Sequence, residues 1–202
     1  QCEQAREAVQ QGDVAQAQQL LTTAMQATPD AARPRILLGQ LQLSLGQPQA
    51  AYETLSTLFA HAHAAAPLAA ASLAKAAQAA GLTPQATNLL ETHYGKQPGI
   101  DVLEAIVALA SQTPEGSAAS RQRFLKHLDQ HASLMAATRW LSDEGTATGH
   151  VPAPVQKALE QAIRPLARYR CAACGFEAKE HFWHCPGCQA WDSYPPRRIE
   201  EL

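Results

Sequence analysis

The sequence is poor in aromatic residues and shows little excess of either charge. Only 5% of its 202 residues are aromatic, and the formal charge at pH 7 is −2. No run of eighteen apolar residues occurs and no signal peptide is visible, so the sequence predicts no membrane-spanning helix. Alanine and glutamine are abundant, and 46% of the residues are hydrophobic. This composition predicts a soluble chain of closely packed helices.

Recognisable enzyme motifs are missing as well. There is no glycine-rich phosphate loop, no nucleophile elbow and no His-Glu-x-x-His zinc motif. His127 and His131 are spaced by one helical turn, but no third ligand for a second metal accompanies them. We therefore predict that the chain is not an enzyme. Because it begins at Gln1 and not at methionine, we also expect it to be a fragment of a longer protein.

Four of the five cysteines stand close together near the end of the sequence. They form two Cys-x-x-Cys pairs, Cys171/Cys174 and Cys185/Cys188, separated by ten residues. Two such pairs can enclose one ion in a tetrahedral shell of four thiolates. Gly175 favours the tight turn that directs backbone N–H groups at the sulfurs. The spacing predicts one metal ion, zinc or iron, because four thiolates suit both.

Disulfide bonds and dithiol redox chemistry are the other uses of paired cysteines. Disulfide-rich chains carry further cysteine pairs, and a thioredoxin-type site needs a single pair at a helix start. His181 and His184 lie between the pairs, but four sulfurs already complete a closed site. We therefore favour a metal held by the cysteines alone. The segment has more large apolar rings than it can bury, so we expect some of them to pack on preceding helices or to bind partners, namely Phe176, Phe182, Trp183 and Trp191.

A repeat of about 34 residues runs through the first half of the sequence. Gly12, Gly46 and Gly81 are spaced by 34 and 35 residues, and each is followed by a small residue after five positions and a leucine after nine. These followers are Ala17, Ala51, Ala86, Leu21, Leu55 and Leu90. The register is typical of tetratricopeptide helix pairs, and Leu38-Gly39 adds their first-helix signature. The alternative is an alanine-rich bundle in which the spacing is a coincidence.

The pattern predicts an all-α fold, a tetratricopeptide-repeat solenoid with a small metal module at its end. A fourth, degenerate helix pair is expected at 100–112 and 117–130, with Gly116 in the place of the turn glycine. We expect Pro165 to kink or end the last helix. The predicted segments are repeats at 1–142, a loop at 143–154, a connecting helix at 155–168 and the metal module at 169–202.

The side chains expected on the concave face of the second and third helix pairs are polar. They are Arg33, Gln40, Lys75 and Gln78, which suit an extended peptide or a protein surface as well as plain solvation. Nucleic acid is the rival partner. Residues 157–202 carry seven Lys/Arg against six Asp/Glu, and four thiolates with a divalent ion subtract two further charges. This segment lacks the basic surface that phosphate binding requires, so we predict no nucleic-acid partner.

The motif Y-R-C-x-x-C-G-F followed by W-H-C-P-x-C-x-x-W, at 169–191 and after helical repeats, resembles the C-terminal portion of the lipopolysaccharide assembly protein B family. The resemblance implies a rubredoxin-like module whose metal ligands are the four cysteines. It also implies a cytoplasmic body at the bacterial inner membrane, with a membrane anchor upstream of these residues.

The same resemblance implies an adaptor that promotes proteolysis of the lipid A pathway deacetylase, LpxC, by the membrane protease FtsH. Its partners would be these two proteins and other lipopolysaccharide-assembly membrane proteins. Gln189 departs from ordinary rubredoxins, which have a second glycine after the second cysteine pair. We therefore favour a structural ion, and the alternative is an iron-containing electron-transfer protein that its repeats localise.

Overall fold

The computed structural model describes residues 1–60, 64–110, 114–142 and 153–202. The predicted loop at 143–154 therefore lies almost wholly outside the described residues. Within the described residues the fold is helical except for one short hairpin, which confirms the predicted fold class. The chain divides into two compact units, Gln1–Gln97 and Pro98–Leu202, called unit 1 and unit 2 below.

Unit 1 contains the three predicted tetratricopeptide helix pairs. Its helices are α1 (Cys2–Gln10), α2 (Val14–Ala27), α3 (Ala32–Ser44), α4 (Pro48–Ala60), α5 (Ala70–Ala80) and α6 (Thr83–Lys96). A short 3-10 helix, Ala66–Ala69, leads into α5. Two of the second helices begin at or beside a proline, where the missing N–H has no intrahelical partner to lose.

The three repeat glycines end the first helix of each pair in the same way. Gly12, Gly46 and Gly81 have φ angles of +81°, +70° and +71°, in the left-handed region that glycine adopts without strain. In each turn, the residue after the glycine donates its N–H to the carbonyl five residues earlier, at 2.8 to 2.9 Å. This is a Schellman arrangement, which satisfies carbonyls at the helix end. The 34-residue period therefore marks the positions at which the first helix of each pair ends.

The small residues and leucines of the repeat form the contacts inside each pair. Ala17, Ala51 and Ala86 are fully buried, and the exposure of the three leucines is at most 2%. Gly39 of α3 lies against Leu55 of α4, so closely that a Cβ on Gly39 would stand 2.4 Å from the Leu55 Cγ. A glycine is required where two helices approach this closely.

Unit 2 contains the remaining helices and the cysteine segment. It consists of α7 (Ile100–Ala110), α8 (Pro114–Leu128), α9 (Leu134–Ser142), α10 (Ala153–Leu166), β1 (Tyr169–Arg170), β2 (Glu177–Ala178) and a terminal 3-10 helix (Ile199–Glu201). The strands pair in antiparallel register, Tyr169 with Ala178 and Arg170 with Glu177. As expected, α10 ends one residue after Pro165. No described helix combines the length and apolar character that crossing a bilayer requires.

The fourth helix pair differs from the prediction at Gly116. This glycine lies inside the first turn of α8 and not in a turn between helices, because α8 already begins at Pro114, a residue favoured at helix starts. Its carbonyl accepts a hydrogen bond from Ser120 Oγ at 2.6 Å. The buried positions that follow are Ser120 and Phe124, whereas Leu125 is 40% exposed. The pair lies in unit 2.

Candidate metal centre

The first cysteine pair closes a tight backbone turn between β1 and β2. The Cys171 N–H donates to the Phe176 carbonyl at 2.9 Å, and the Gly175 N–H donates to the Cys171 carbonyl at 2.9 Å. Gly175 has a φ of +78°, so it adopts the left-handed backbone conformation that this tight turn requires. The turn leaves the sulfurs of Cys171 and Cys174 on the same side, where one ion can reach both.

The second cysteine pair repeats this turn. The Cys185 N–H donates to the Ala190 carbonyl at 2.9 Å, and the Gln189 N–H donates to the Cys185 carbonyl at 2.8 Å. Gln189 stands where the first turn has Gly175 and takes the same left-handed conformation, with a φ of +60°. A glutamine pays a steric penalty there that glycine does not. The two turns therefore match in hydrogen bonding but differ in backbone strain.

The four cysteine sulfurs converge on one point. They all lie within 4.8 Å of one another, with Cys171 Sγ 3.8 Å from Cys188 Sγ and Cys174 Sγ 3.7 Å from Cys185 Sγ. A tetrahedral site with metal–sulfur distances of about 2.3 Å has sulfur–sulfur edges of about 3.8 Å. A disulfide would need about 2.05 Å, and all four cysteines are free. The donor set fits a single ion, and its geometry suits zinc and iron alike.

The four thiols are so close together that a cation would stabilise their ionised forms. A hydrogen bond with Ser193 Oγ, at 3.2 Å, lowers the pKa of Cys171 to about 6. The Phe176 N–H favours the Cys174 thiolate, but burial and the other three cysteines raise the pKa of Cys174 to about 12. Four thiolates this close repel one another and cannot all ionise alone. A bound divalent ion would remove that repulsion.

Tyr194 covers the side of the site next to Cys185. Its side chain is buried, and its hydroxyl lies 3.9 Å from Cys185 Sγ while donating to the Phe176 carbonyl at 3.2 Å. Its backbone carbonyl is 3.0 Å from His181 Nε2. Burial raises the pKa of Tyr194, and the adjacent Cys185 raises it further. Neither Tyr194 nor Ser193 stands out in the sequence, since one tyrosine shortly after Cys188 is a weak signal.

Arg198 holds the cysteine segment against the start of α7. Its guanidinium donates to both carboxylate oxygens of Asp101, with distances of 2.9 to 3.2 Å, and to the Ala167 carbonyl at 2.7 Å. It also lies 4.3 Å from the centroid of the Tyr169 ring. Although burial opposes it, the bond to Asp101 raises the pKa of Arg198. The module is therefore docked within unit 2.

Comparison with known proteins supports both parts of this description. Residues 169–196 match the model of the rubredoxin metal binding domain, and residues 8–76 match that of the tetratricopeptide repeat. Lipopolysaccharide assembly protein B of Escherichia coli strain K12 is 25% identical to the chain, covering 98% of this chain and 52% of that protein. The chain is thus similar to lipopolysaccharide assembly protein B along nearly its whole length.

A second relative is the lipopolysaccharide assembly protein B of Haemophilus influenzae strain Rd. It is 22% identical over 50% of this chain and 27% of its own length. The chain spans about half the length of the Escherichia coli protein that it matches. The resemblance that the cysteine motif and the repeats indicated is thereby confirmed.

Three of the four phenylalanine and tryptophan rings of the metal module are exposed. Trp191 is 54% exposed and stacks on His184, with ring centroids 4.5 Å apart. Phe176 and Phe182 are also exposed. Trp183 is half-buried, and its ring lies 4.8 Å from that of His181. The partner-binding role of Trp183 and Trp191 stays a prediction.

The four polar residues predicted to contact partners lie on α3 and α5. The Arg33 guanidinium pairs with the Glu3 carboxylate of α1, so this side chain joins two helices. Gln40 is exposed and lines a cavity of about 320 Å³ between α1 and α3. Lys75 is exposed and Gln78 is half-buried. Their role as partner contacts also stays a prediction.

Proposed function

We propose that the chain is a non-enzymatic adaptor in lipopolysaccharide assembly. Its helix pairs offer binding surface to other proteins, and its four-cysteine module holds one metal ion as part of the same scaffold. The observation that carries this proposal is the convergence of four free sulfurs at tetrahedral spacing. They belong to a module that Arg198 fixes to α7. The names of the related proteins and the repeat architecture support the assignment.

The partners that we propose follow from the family. They are a membrane protease of the FtsH type, a deacetylase of the LpxC type and other membrane proteins of lipopolysaccharide assembly, at the cytoplasmic face of the bacterial inner membrane. Arrays of helix pairs suit this role because they present an extended surface without needing a catalytic cleft. The chain would supply binding and orientation, bringing the deacetylase to the protease, and the protease would perform the cleavage.

Within the module, we propose Cys171, Cys174, Cys185 and Cys188 as the metal ligands. A bound ion would supply much of the folding free energy of this short segment, on the order of 10 kcal/mol for structural zinc. Backbone N–H groups and the Ser193 hydroxyl favour the thiolate form of Cys171 and orient its sulfur. The resulting rigid module keeps Trp183 and Trp191 in fixed positions at the surface.

The test replaces two ligands and compares the result with a cysteine that lies outside the site. Cys171→Ser combined with Cys174→Ser should abolish metal binding and weaken capture of the purified deacetylase and protease. Cys2→Ser, at the start of α1, is the matched control and should keep one metal per chain and full capture. If the double variant lacks metal yet binds both partners as tightly as the unmodified chain, the module is not part of the binding surface.

Electron transfer by bound iron is the second candidate function. It is favoured by the exposure of Cys174 and Cys188, through which an electron could reach the ion from outside. Metal analysis and a reversible reduction experiment separate the two candidates. A red protein that reduces and reoxidises reversibly supports electron transfer, whereas a colourless zinc protein contradicts it.

A further inference from the structure

Two consecutive glutamates at the end of the chain each bind the start of a different helix. Glu201 Oε1 accepts a hydrogen bond from the Ile100 N–H, the first of α7, at 2.8 Å. Glu200 accepts from the Met135 N–H, in the first turn of α9, at 2.9 Å and from Ser133 Oγ at 2.9 Å. Helix starts have N–H groups without intrahelical partners and a partial positive charge, so a carboxylate stabilises them.

Arg198 completes this set of contacts. Its bidentate ion pair is with Asp101, one residue after the Ile100 that Glu201 binds. The next residue, Ile199, donates its N–H to the Arg168 carbonyl at 2.8 Å. Four consecutive residues thus bind α7, α9 and the two residues that follow α10, Ala167 and Arg168. We call residues 198–201 the latch.

The latch is joined to the cysteine site by a short and stiff stretch of chain. Ser193 contacts Cys171 Sγ, and its carbonyl accepts the Ala172 N–H at 2.7 Å. Tyr194 contacts Cys185 Sγ. The next two residues are Pro195 and Pro196, whose rings fix φ and leave little freedom before the latch begins.

The position of the latch is therefore determined by the position of the sulfurs. If the cysteines separate, Ser193 and Tyr194 lose their contacts with them, and the stiff proline pair carries that displacement to Arg198. Hydrogen bonds depend steeply on distance and angle, so contacts of this kind fail together when the module shifts.

We propose that residues 198–201 are a metal-dependent latch, which caps α7 and α9 only while the four-cysteine site holds its ion. Loss of the ion would release both helix starts. The presence or absence of metal in the module would then change the structure of α7 and α9 at their first turns. The inference rests on the metal binding proposed above and adds a regulatory consequence to it. It does not depend on the identity of the partner proteins.

The experiment measures amide hydrogen exchange, residue by residue, on the metal-loaded chain and after chelation of the metal. The latch is disabled separately by Glu200→Ala combined with Glu201→Ala. Glu180→Ala is the matched control, because Glu180 is an exposed glutamate of the same module outside the latch. Metal content is measured for every sample, so that a failure to bind metal is distinguished from a failure of the latch.

In the metal-loaded latch variant, exchange at the Ile100 and Met135 amides should be about fivefold faster than in the unmodified chain, with metal retained. Chelation should accelerate the same amides in the unmodified chain and in the Glu180 control. It should add little at those amides in the latch variant. Unit 1 amides are the internal reference and should not change.

Two results would overturn the proposal. One is that chelation leaves the Ile100 and Met135 amides as protected as before, which would mean that the latch holds without the ion. The other is that chelation accelerates them equally in the latch variant, which would mean that the metal acts on these helices by another route. If unit 2 unfolded as a whole on chelation, the latch variant would respond in full, and the proposal would also be rejected.

Discussion

The two matched turns of the metal module make it possible to measure how backbone strain affects metal affinity. Gln189 and Gly175 occupy equivalent positions, both in the left-handed region. For a residue with a side chain, the left-handed conformation costs about 1 to 2 kcal/mol of conformational free energy. Changing Gln189 to glycine removes this strain but adds about 0.5 to 1 kcal/mol of backbone entropy to the unfolded chain. The net expectation is a stabilisation of about 1 kcal/mol.

Because the module folds around its ion, this free energy should appear in the binding constant. Gln189→Gly should therefore bind zinc about fivefold more tightly, since 1.4 kcal/mol corresponds to about tenfold. Gly175→Ala should bind about fivefold more weakly. A Cβ on Gly175 would meet no atom within 4 Å, so its effect can come only from the backbone conformation.

Competition with a chromophoric chelator measures both affinities under the same conditions. The two substitutions should change the zinc affinity in opposite directions. Equal affinities in all three proteins, or weaker binding by the Gln189→Gly variant, would refute it, because then the left-handed turn would carry no strain that metal binding must overcome.

Two further predictions concern unit 1. Gly39→Ala should destabilise it by about 2 kcal/mol, since overlap with the Leu55 side chain costs up to about 3 kcal/mol and helix propensity returns about 1 kcal/mol. Gly95→Ala, also helical but free of close neighbours, is the control and should be neutral or stabilising in denaturant titration. Burial, with Lys96 nearby, lowers the pKa of His93, so the unfolded chain takes up the proton first and stability falls as pH drops through about 6.5. The melting temperature of unit 1 should therefore fall from pH 7.5 to pH 5, and His93→Leu should reduce that fall; an unchanged pH dependence would contradict this assignment.

The parts of the structure that the sequence predicts well are those that local chemistry determines. The left-handed glycines, the small residues at helix contacts and the Cys-x-x-Cys turns each depend on residues close together in the chain. Gly12 and Gly175 are examples, because a turn of either kind is specified within about six residues. Such features need no knowledge of the distant partners of a residue.

The errors and omissions arise where a distant contact or a competing local signal decides. Gly116 has the spacing of a turn glycine, but Pro114 starts the helix earlier and shifts the buried positions by one. The role of Glu201 is invisible in the sequence, because its partner, Ile100, lies 101 residues away. An acidic pair at a chain end is ordinarily a solvated surface, and nothing local distinguishes one that caps helices.

The two units consequently differ in how they respond to perturbation. Unit 1 is held by apolar contacts among alanines and leucines, which tolerate small shifts because they have little directionality. Within the described residues 169–202, the large buried apolar side chains are Tyr169 and Tyr194, and the module is attached through an ion pair and two carboxylate caps. Such contacts require accurate geometry, and in a segment with so little apolar core that accuracy has to come from the metal. Metal loss should therefore weaken the polar contacts of the module with α7 and α9 before it disturbs any apolar packing.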